Sequence, residues 1–119
     1  MNKYSNKKTI VEGIEFDSRL ESVRFQQLRL MQKADPPLIS DLKLQVEFQI
    51  IQGWVNPDTG EKIKGSMYIA DFVYCDLESH QMIVEDTKGI ETENFKTKWK
   101  LVQSQYPQFV FRKVTRNDI

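Results

Sequence analysis

Asp71 stands in the middle of an apolar, β-prone run from Met67 to Cys75, and Asp86 and Lys88 stand near the end of a second run from Met82 to Lys88. A polar turn, Asp76 to Gln81, separates the two runs, so together they predict an antiparallel hairpin. Half-buried strands do not favour acids and lysines. Side chains alternate along a strand, which gives Asp86 and Lys88 one face and points Thr87 away. Two carboxylates from adjacent strands could then converge with an ammonium beside them. Oxygen ligands of that kind suit a hard divalent cation such as Mg²⁺, and the ammonium could orient a water or stabilise a negatively charged transition state. Such chemistry suits phosphodiesters. The competing reading is an exposed cross-strand ion pair of small worth. The acid-x-lysine spacing alone does not decide between them, since Asp41-Leu42-Lys43 has it too, with no acid-bearing strand before it.

The elements that must position these residues are legible on either side. Residues 1–16 form a basic arm with Lys3, Lys7 and Lys8, read as irregular. Ser18 can cap a helix, and Glu21 three residues on completes a capping box before Leu20, Val23, Leu28 and Met31 draw an apolar stripe. The first helix is therefore expected from about Arg19 to Lys33, stopped by Asp35-Pro36-Pro37. Glu21 lies at the edge of the stripe, beside Phe25 and Leu28, where the capping box alone would explain it. Leu42, Leu44, Val46, Phe48 and Ile50 alternate with polar residues, the pattern of a strand with one buried face. Asn56-Pro57-Asp58-Thr59-Gly60 is turn chemistry and returns the chain through Lys62 to Tyr74. After the central hairpin, Thr92 can cap a second helix with Phe95, Trp99, Val102 and Tyr106 on one side, ended by Pro107. Phe109 to Phe111 supplies a last strand, and residues 115–119 read as a frayed tail. The order is helix, three strands, helix, strand. A helix between strands three and four allows the last strand to lie parallel to its neighbour, giving an α/β chain arranged as an α+β sandwich around a mixed four-stranded sheet.

Composition narrows the class. A chain of 119 residues suits one domain, residues 1–119, with one core. Hydrophobic content of 39% and charged content of 29% suit a globular domain that does not enter a membrane. No apolar run has the length of a membrane span, and the polar residues 1–9 lack a secretory apolar segment, so a cytoplasmic location is expected. One cysteine, Cys75, and one histidine, His80, leave no internal disulfide, no zinc cluster of the usual type and no Cys-His pair for nucleophilic catalysis. Cys75 reads as a packed thiol and His80 as a solvated turn residue. Net charge is zero, but from Lys88 to Arg116 seven basic residues stand against two acidic ones. With the basic arm, this gives weak support for a phosphate-binding surface.

The order of elements resembles the common core of the PD-(D/E)XK nuclease superfamily, a restriction-endonuclease-like αβββαβ arrangement with an acid on strand two and an acid-x-lysine on strand three. Here those are Asp71 and Asp86-Thr87-Lys88, with Ala70 in place of the motif's proline. More narrowly, Asn6-Lys7-Lys8-Thr9, Gly13-Ile14, Phe16-Asp17-Ser18, Glu21, Tyr68-Ile69-Ala70-Asp71-Phe72 and Val84-Glu85-Asp86-Thr87-Lys88-Gly89 are similar to a family of small phage proteins described as Holliday-junction-resolvase-like. The resemblance implies a DNA endonuclease dependent on Mg²⁺, or Mn²⁺ as a substitute. In it Asp71 and Asp86 would hold the metal with the backbone carbonyl of Thr87, Glu21 would complete the shell, and Lys88 would position water or the scissile phosphate. Glu85 falls on the opposite face from Asp86 in a regular strand and is left out of the shell, a choice that a bulge would reverse. Lys98 falls where related proteins place an accessory polar residue, and Lys7, Lys8, Lys96, Lys98 and Lys100 are the expected contacts to DNA phosphates. Cutting both strands of a branched or duplex DNA would call for a homodimer, for which Trp54 is a candidate contact. The alternative is a nuclease-like fold without cleavage, serving as a DNA-binding or protein-interaction module.

Overall fold

The computed structural model describes residues 8–119. Its centre is a four-stranded mixed sheet built from β3 (Ile39–Ile51), β6 (Ser66–Asp76), β7 (Gln81–Thr87) and β8 (Val110–Val114), in that spatial order. β3, β6 and β7 are antiparallel, and β8 lies parallel to β7 because helix α2 (Glu93–Gln105) carries the chain across between them. Helix α1 (Arg19–Lys33) packs on one face and α2 on the other, so the α+β sandwich expected from the order of elements is what the chain adopts.

Local chemistry accounts for the boundaries. Ser18 Oγ accepts from the Glu21 N–H at 3.1 Å and Thr92 Oγ1 accepts from the Phe95 N–H at 3.1 Å, so both expected caps are made. On α2, Phe95, Trp99 and Val102 are buried as the periodicity requires. The Asn56 to Gly60 turn is present, with Asn56 Oδ1 accepting from the Asp58 N–H at 2.9 Å, and it joins two short strands, β4 (Trp54–Val55) and β5 (Lys62–Ile63). At the root of this outer hairpin Gly53 and Gly65 lie against each other. A Cβ on Gly65 would stand 2.5 Å from the Ile51 carbonyl oxygen, so the close crossing admits only glycine there. Between β6 and β7 the chain turns through His80, exposed at φ 62°. Cys75 is a free, half-buried thiol.

Several expectations are corrected. Residues 9–16 are not irregular: β1 (Thr9–Val11) and β2 (Ile14–Phe16) form a hairpin whose two turn residues, Glu12 and Gly13, both have positive φ. That is the mirror-image turn whose twist suits a hairpin, reached here with Glu-Gly. Residues 115–119 are not frayed, since Arg116–Asp118 forms a 3₁₀ turn closed by Asp118 Oδ2, which accepts from the Thr115 N–H at 2.7 Å. The buried face of α1 is Glu21, Ser22, Phe25 and Leu28, whereas Leu20 and Val23 lie to one side, lining a cavity with Arg19, Arg116 and Ile119.

The largest departure concerns β3. Its alternation predicts one buried face, yet Leu42 and Leu44 pack on the α1 side while Val46, Phe48 and Ile50 pack on the α2 side. β6 changes over at the same level: Tyr68 and Ala70 belong to the α2-side core and Phe72 and Tyr74 to the α1-side core. Leu44 pairs with Phe72 and Val46 with Ala70, so the changeover falls at Gln45 on one strand and Asp71 on the other. Gln45 takes φ 52°, and Asp41, at a register shift nearer the start of β3, takes φ 57°. Such local rotations reverse which face a strand buries without breaking the sheet.

Candidate functional site

β6 and β7 pair regularly from Asp76 and Gln81 to Phe72 and Glu85, and there the ladder stops. The next residues, Asp71 and Asp86, stand where the strands part. In place of a backbone ladder bond, the Thr87 N–H and the Thr87 hydroxyl both donate to Asp71 Oδ2, each at 2.8 Å. Asp86 is anchored on the other side of the sheet. Its Oδ2 accepts from the buried Tyr68 hydroxyl at 2.5 Å, and its Oδ1 is buried with no hydrogen-bond donor among the described residues, 3.4 Å from Lys88 Nζ. The Lys88 ammonium in turn lies 4.4 Å from the centre of the Phe95 ring, so α2 fixes its height above the sheet. Asp86 and Lys88 share a face as the alternation predicts.

Glu21 joins the group from α1. It is 5% exposed, and its carboxylate turns to the Gln45 side-chain amide, which donates to Oε1 at 2.9 Å; among the described residues the return half of the expected capping box is not made. Burial and the nearby charges of Asp71, Asp17 and Asp86 push the Glu21 carboxyl up to about 8. Burial first, then the Asp71 charge, pushes Asp86 up to about 6, against the pull of Tyr68 and Lys88. Burial also raises Asp71, opposed by its bonds from Thr87 and the Lys88 charge. The structure thus brings Glu21, Asp71, Asp86 and Lys88 into one electrostatic cluster, with Asp17 at its edge. Among the described residues it does not form a ready-made group of three or more His, Cys, Asp or Glu side chains arranged to hold a metal. The reason lies in the anchors: Asp71 is tied to Thr87, Glu21 to Gln45, and Asp86 to Tyr68.

Glu85 stays outside the cluster, as the strand alternation requires. It is completely buried on the α1 side, where Arg24 donates to its two oxygens at 2.7 and 2.6 Å and the Tyr74 hydroxyl donates to Oε2. Two neighbouring carboxylates therefore have opposite fates. One is neutralised by a bidentate guanidinium and a phenol, and the other has an oxygen that meets only the Lys88 ammonium, at 3.4 Å.

The expected basic contacts do not form one surface. Lys7 lies outside the described residues, and Lys8 is exposed on the β1–β2 hairpin with Glu15 at 3.4 Å. On α2, Lys96 and Lys100 are one turn apart, while Lys98, two residues from each, points to the opposite side of the helix. Lys96 pairs with Glu93 at 3.3 Å, and Lys113, beside Asp86 on β8, pairs with Glu91 at 2.8 Å. Trp54 is 53% exposed on the outer hairpin, apart from the acid cluster.

Two residues of the site are not among the expected ones. Tyr68 falls inside the quoted strand and reads as core, although a tyrosine beside a buried acid needs a partner for its hydroxyl. Gln45 sits on the polar side of the β3 alternation, and no sequence pattern distinguishes it from Gln49.

Fold and site together define a class: an α+β sandwich whose mixed sheet carries an acid and lysine cluster where two central strands part. The chain belongs to the family described as "Protein of unknown function (DUF1064)", which matches residues 1–118. No curated protein and no solved structure matched the chain.

Proposed function

We propose that the protein is a metal-dependent deoxyribonuclease that hydrolyses phosphodiester bonds in branched or duplex DNA. The observation that carries this reading is Asp86 Oδ1, a buried carboxylate oxygen without a hydrogen-bond donor among the described residues, in a cluster where Glu21, Asp71 and Asp86 share the Lys88 charge. A buried acid so placed is either protonated or matched by a cation. The donors are all oxygens, the set preferred by Mg²⁺ and Mn²⁺.

Asp71 and Asp86 would hold the ion, with Glu21 and the Thr87 carbonyl completing its surroundings. Bound there, the ion would supply Lewis-acid polarisation of the phosphate and a lowered pKa for water. The remaining work falls to the chain. Lys88, held between Asp86 and the Phe95 ring, orients the attacking water or balances charge on the phosphate as it develops. Thr87 and Tyr68 each fix one carboxylate oxygen, Asp71 Oδ2 and Asp86 Oδ2. Lys96 and Lys113, which with Lys88 surround Glu91, offer phosphate contacts beside the cluster, whereas Lys98 lies on the opposite side of α2 from Lys96. One domain carries one such cluster, so cutting two strands symmetrically calls for two copies related by a two-fold axis.

A second reading is supported by the missing ready-made metal group among the described residues: a domain of this fold that binds DNA without cleaving it. One experiment separates the two. Purified protein is incubated with Mg²⁺ or Mn²⁺ and labelled four-way junction, flap, nicked and linear DNAs, beside Asp71→Asn and Asp86→Asn. The nuclease reading expects metal-dependent products on at least one substrate, lost in both variants. Binding of the same DNAs with no product at any metal concentration leaves the binding module.

A further inference from the structure

Gln45 occupies a backbone position that does not suit it. Its φ of 52° lies in the left-handed region, where glycine and asparagine are at ease and a longer side chain is strained unless its surroundings hold it. It is also exposed, so burial does not account for a glutamine there. What the side chain does is specific. It crosses from β3 to α1 and donates from Nε2 to Glu21 Oε1 at 2.9 Å, and it stands at the level of Asp71, between the Leu44–Phe72 and Val46–Ala70 pairs of the two neighbouring strands. An amide carries two N–H groups, so the Gln45 side chain that holds Glu21 Oε1 keeps a second donor for the acids beside it.

We infer that Gln45 is the positioning residue of the acid cluster: its amide holds the Glu21 carboxylate toward Asp71, and the changeover of faces on β3 is the device that aims it there. This rests on the cation-binding reading of the cluster and deepens it by naming what brings the third acid into the site. In a regular strand residue 45 would extend the ladder with its side chain on one face of the sheet. The rotation at φ 52° instead sets it against α1, at the level where β3 faces both Glu21 and Asp71. Residues that orient metal ligands in this way typically contribute tenfold or more to affinity.

The test exploits the exposure of the side chain, because removing it opens no cavity. Gln45→Gly also relieves the backbone, so the variant should fold at least as well as the parent, while Gln45→Ala keeps the strain and removes the amide. Mn²⁺ affinity of the metal-free proteins is measured by calorimetry near pH 8. The inference expects binding weakened about tenfold in both variants with unchanged circular dichroism. Parental affinity in both would overturn the role of Gln45 and leave the cation site standing. Absence of Mn²⁺ binding in the parent would overturn the cation site and this role with it. A second readout needs no metal: a cycle of Gln45→Gly and Glu21→Ala on urea unfolding, in which the gain from backbone relief cancels. Coupling of about fivefold in the unfolding constant is expected, and strictly additive effects would overturn the contact.

Discussion

Thr87 gives both its N–H and its hydroxyl to the same oxygen of Asp71, at 2.8 Å each, at the level where the ladder between β6 and β7 ends. The aspartate side chain thus replaces a strand-to-strand bond, and its other oxygen is left to the acid cluster. Thr87→Val keeps the shape of the residue and removes the hydroxyl. It is expected to cost about 1.5 to 3 kcal/mol in urea unfolding, the usual loss for a hydrogen bond to a charged group. DNA cleavage should fall with it, because Asp71 gains a freedom of rotation that the site does not tolerate.

Asp86 and Lys88 should separate stability from activity. Asp86→Asn and Lys88→Ala are each expected to lower cleavage at least a hundredfold, about 3 to 4 kcal/mol of transition-state stabilisation. The amide introduced by Asp86→Asn can still accept from Tyr68, and one of the crowded charges is gone, so the metal-free D86N protein should melt no lower than the parent at pH 8. Cleavage at the parental rate by both variants would remove these residues from the site.

Glu21→Gln distinguishes a ligand from a structural acid. Glutamine keeps an acceptor for the Gln45 amide and leaves the Ser18 cap, which uses the residue 21 backbone, untouched. A ligand role therefore expects lost cleavage and weaker Mn²⁺ binding at an unchanged or higher melting temperature. Full activity in E21Q would confine Glu21 to packing.

The pH dependence of the metal-free protein follows from three acids raised in the folded state. Glu21 stands at about 8 and Asp86 at about 6, against ordinary values of 4.5 and 3.8, and Asp71 is raised as well. The folded chain then holds more protons than the unfolded chain between about pH 4 and pH 8. The stability this cluster contributes is full below that window and is lost as pH rises through it. The exposed acids with lowered values, Glu12, Glu91 and Asp118, act in the opposite sense only at lower pH. Melting temperature is expected to fall from about pH 5 to about pH 8 without metal, and stabilisation by added Mg²⁺ to grow over the same interval. A flat profile in that range, with and without Mg²⁺, would contradict the shifts.

Glu85 should behave in the reverse way. Removing it leaves Arg24 and Tyr74 facing each other without their shared acid, and Glu85→Ala is expected to cost about 3 to 5 kcal/mol. Glu85→Gln retains part of the hydrogen bonding and should lose less. Its Mn²⁺ affinity should match the parent's, which calorimetry can check at a temperature where the variant is folded.

Much of this arrangement was legible in the residues. Period-two alternation put Asp86 and Lys88 together and Glu85 apart, Ser18 and Thr92 marked the helix starts, and a helix before the last strand implied the parallel partner. What escaped has a common cause. Alternation assumes an unbroken strand, whereas β3 rotates at Asp41 and Gln45 and β6 exchanges faces beside Asp71, so the polar half of β3 conceals a site residue. Helix spacing likewise predicts an apolar stripe, whereas α1 turns Glu21 and Ser22 inward because the acid cluster and the sheet receive them there. In both places tertiary contacts decide what the local pattern leaves open.

Glu85 and Asp86 are separated by one peptide unit and matched to different surroundings on the two sides of β7. A slip of that strand by a single residue would carry Asp86, too short to replace a glutamate, into the place that faces the guanidinium of Arg24, and would put Thr87 where Tyr68 needs a carboxylate. The pair therefore works as a registration key. It makes a one-residue error of strand assembly costly on two faces together, and the same alignment that admits the chain to its native pairing is the one that sets Asp86 Oδ1 beside Lys88.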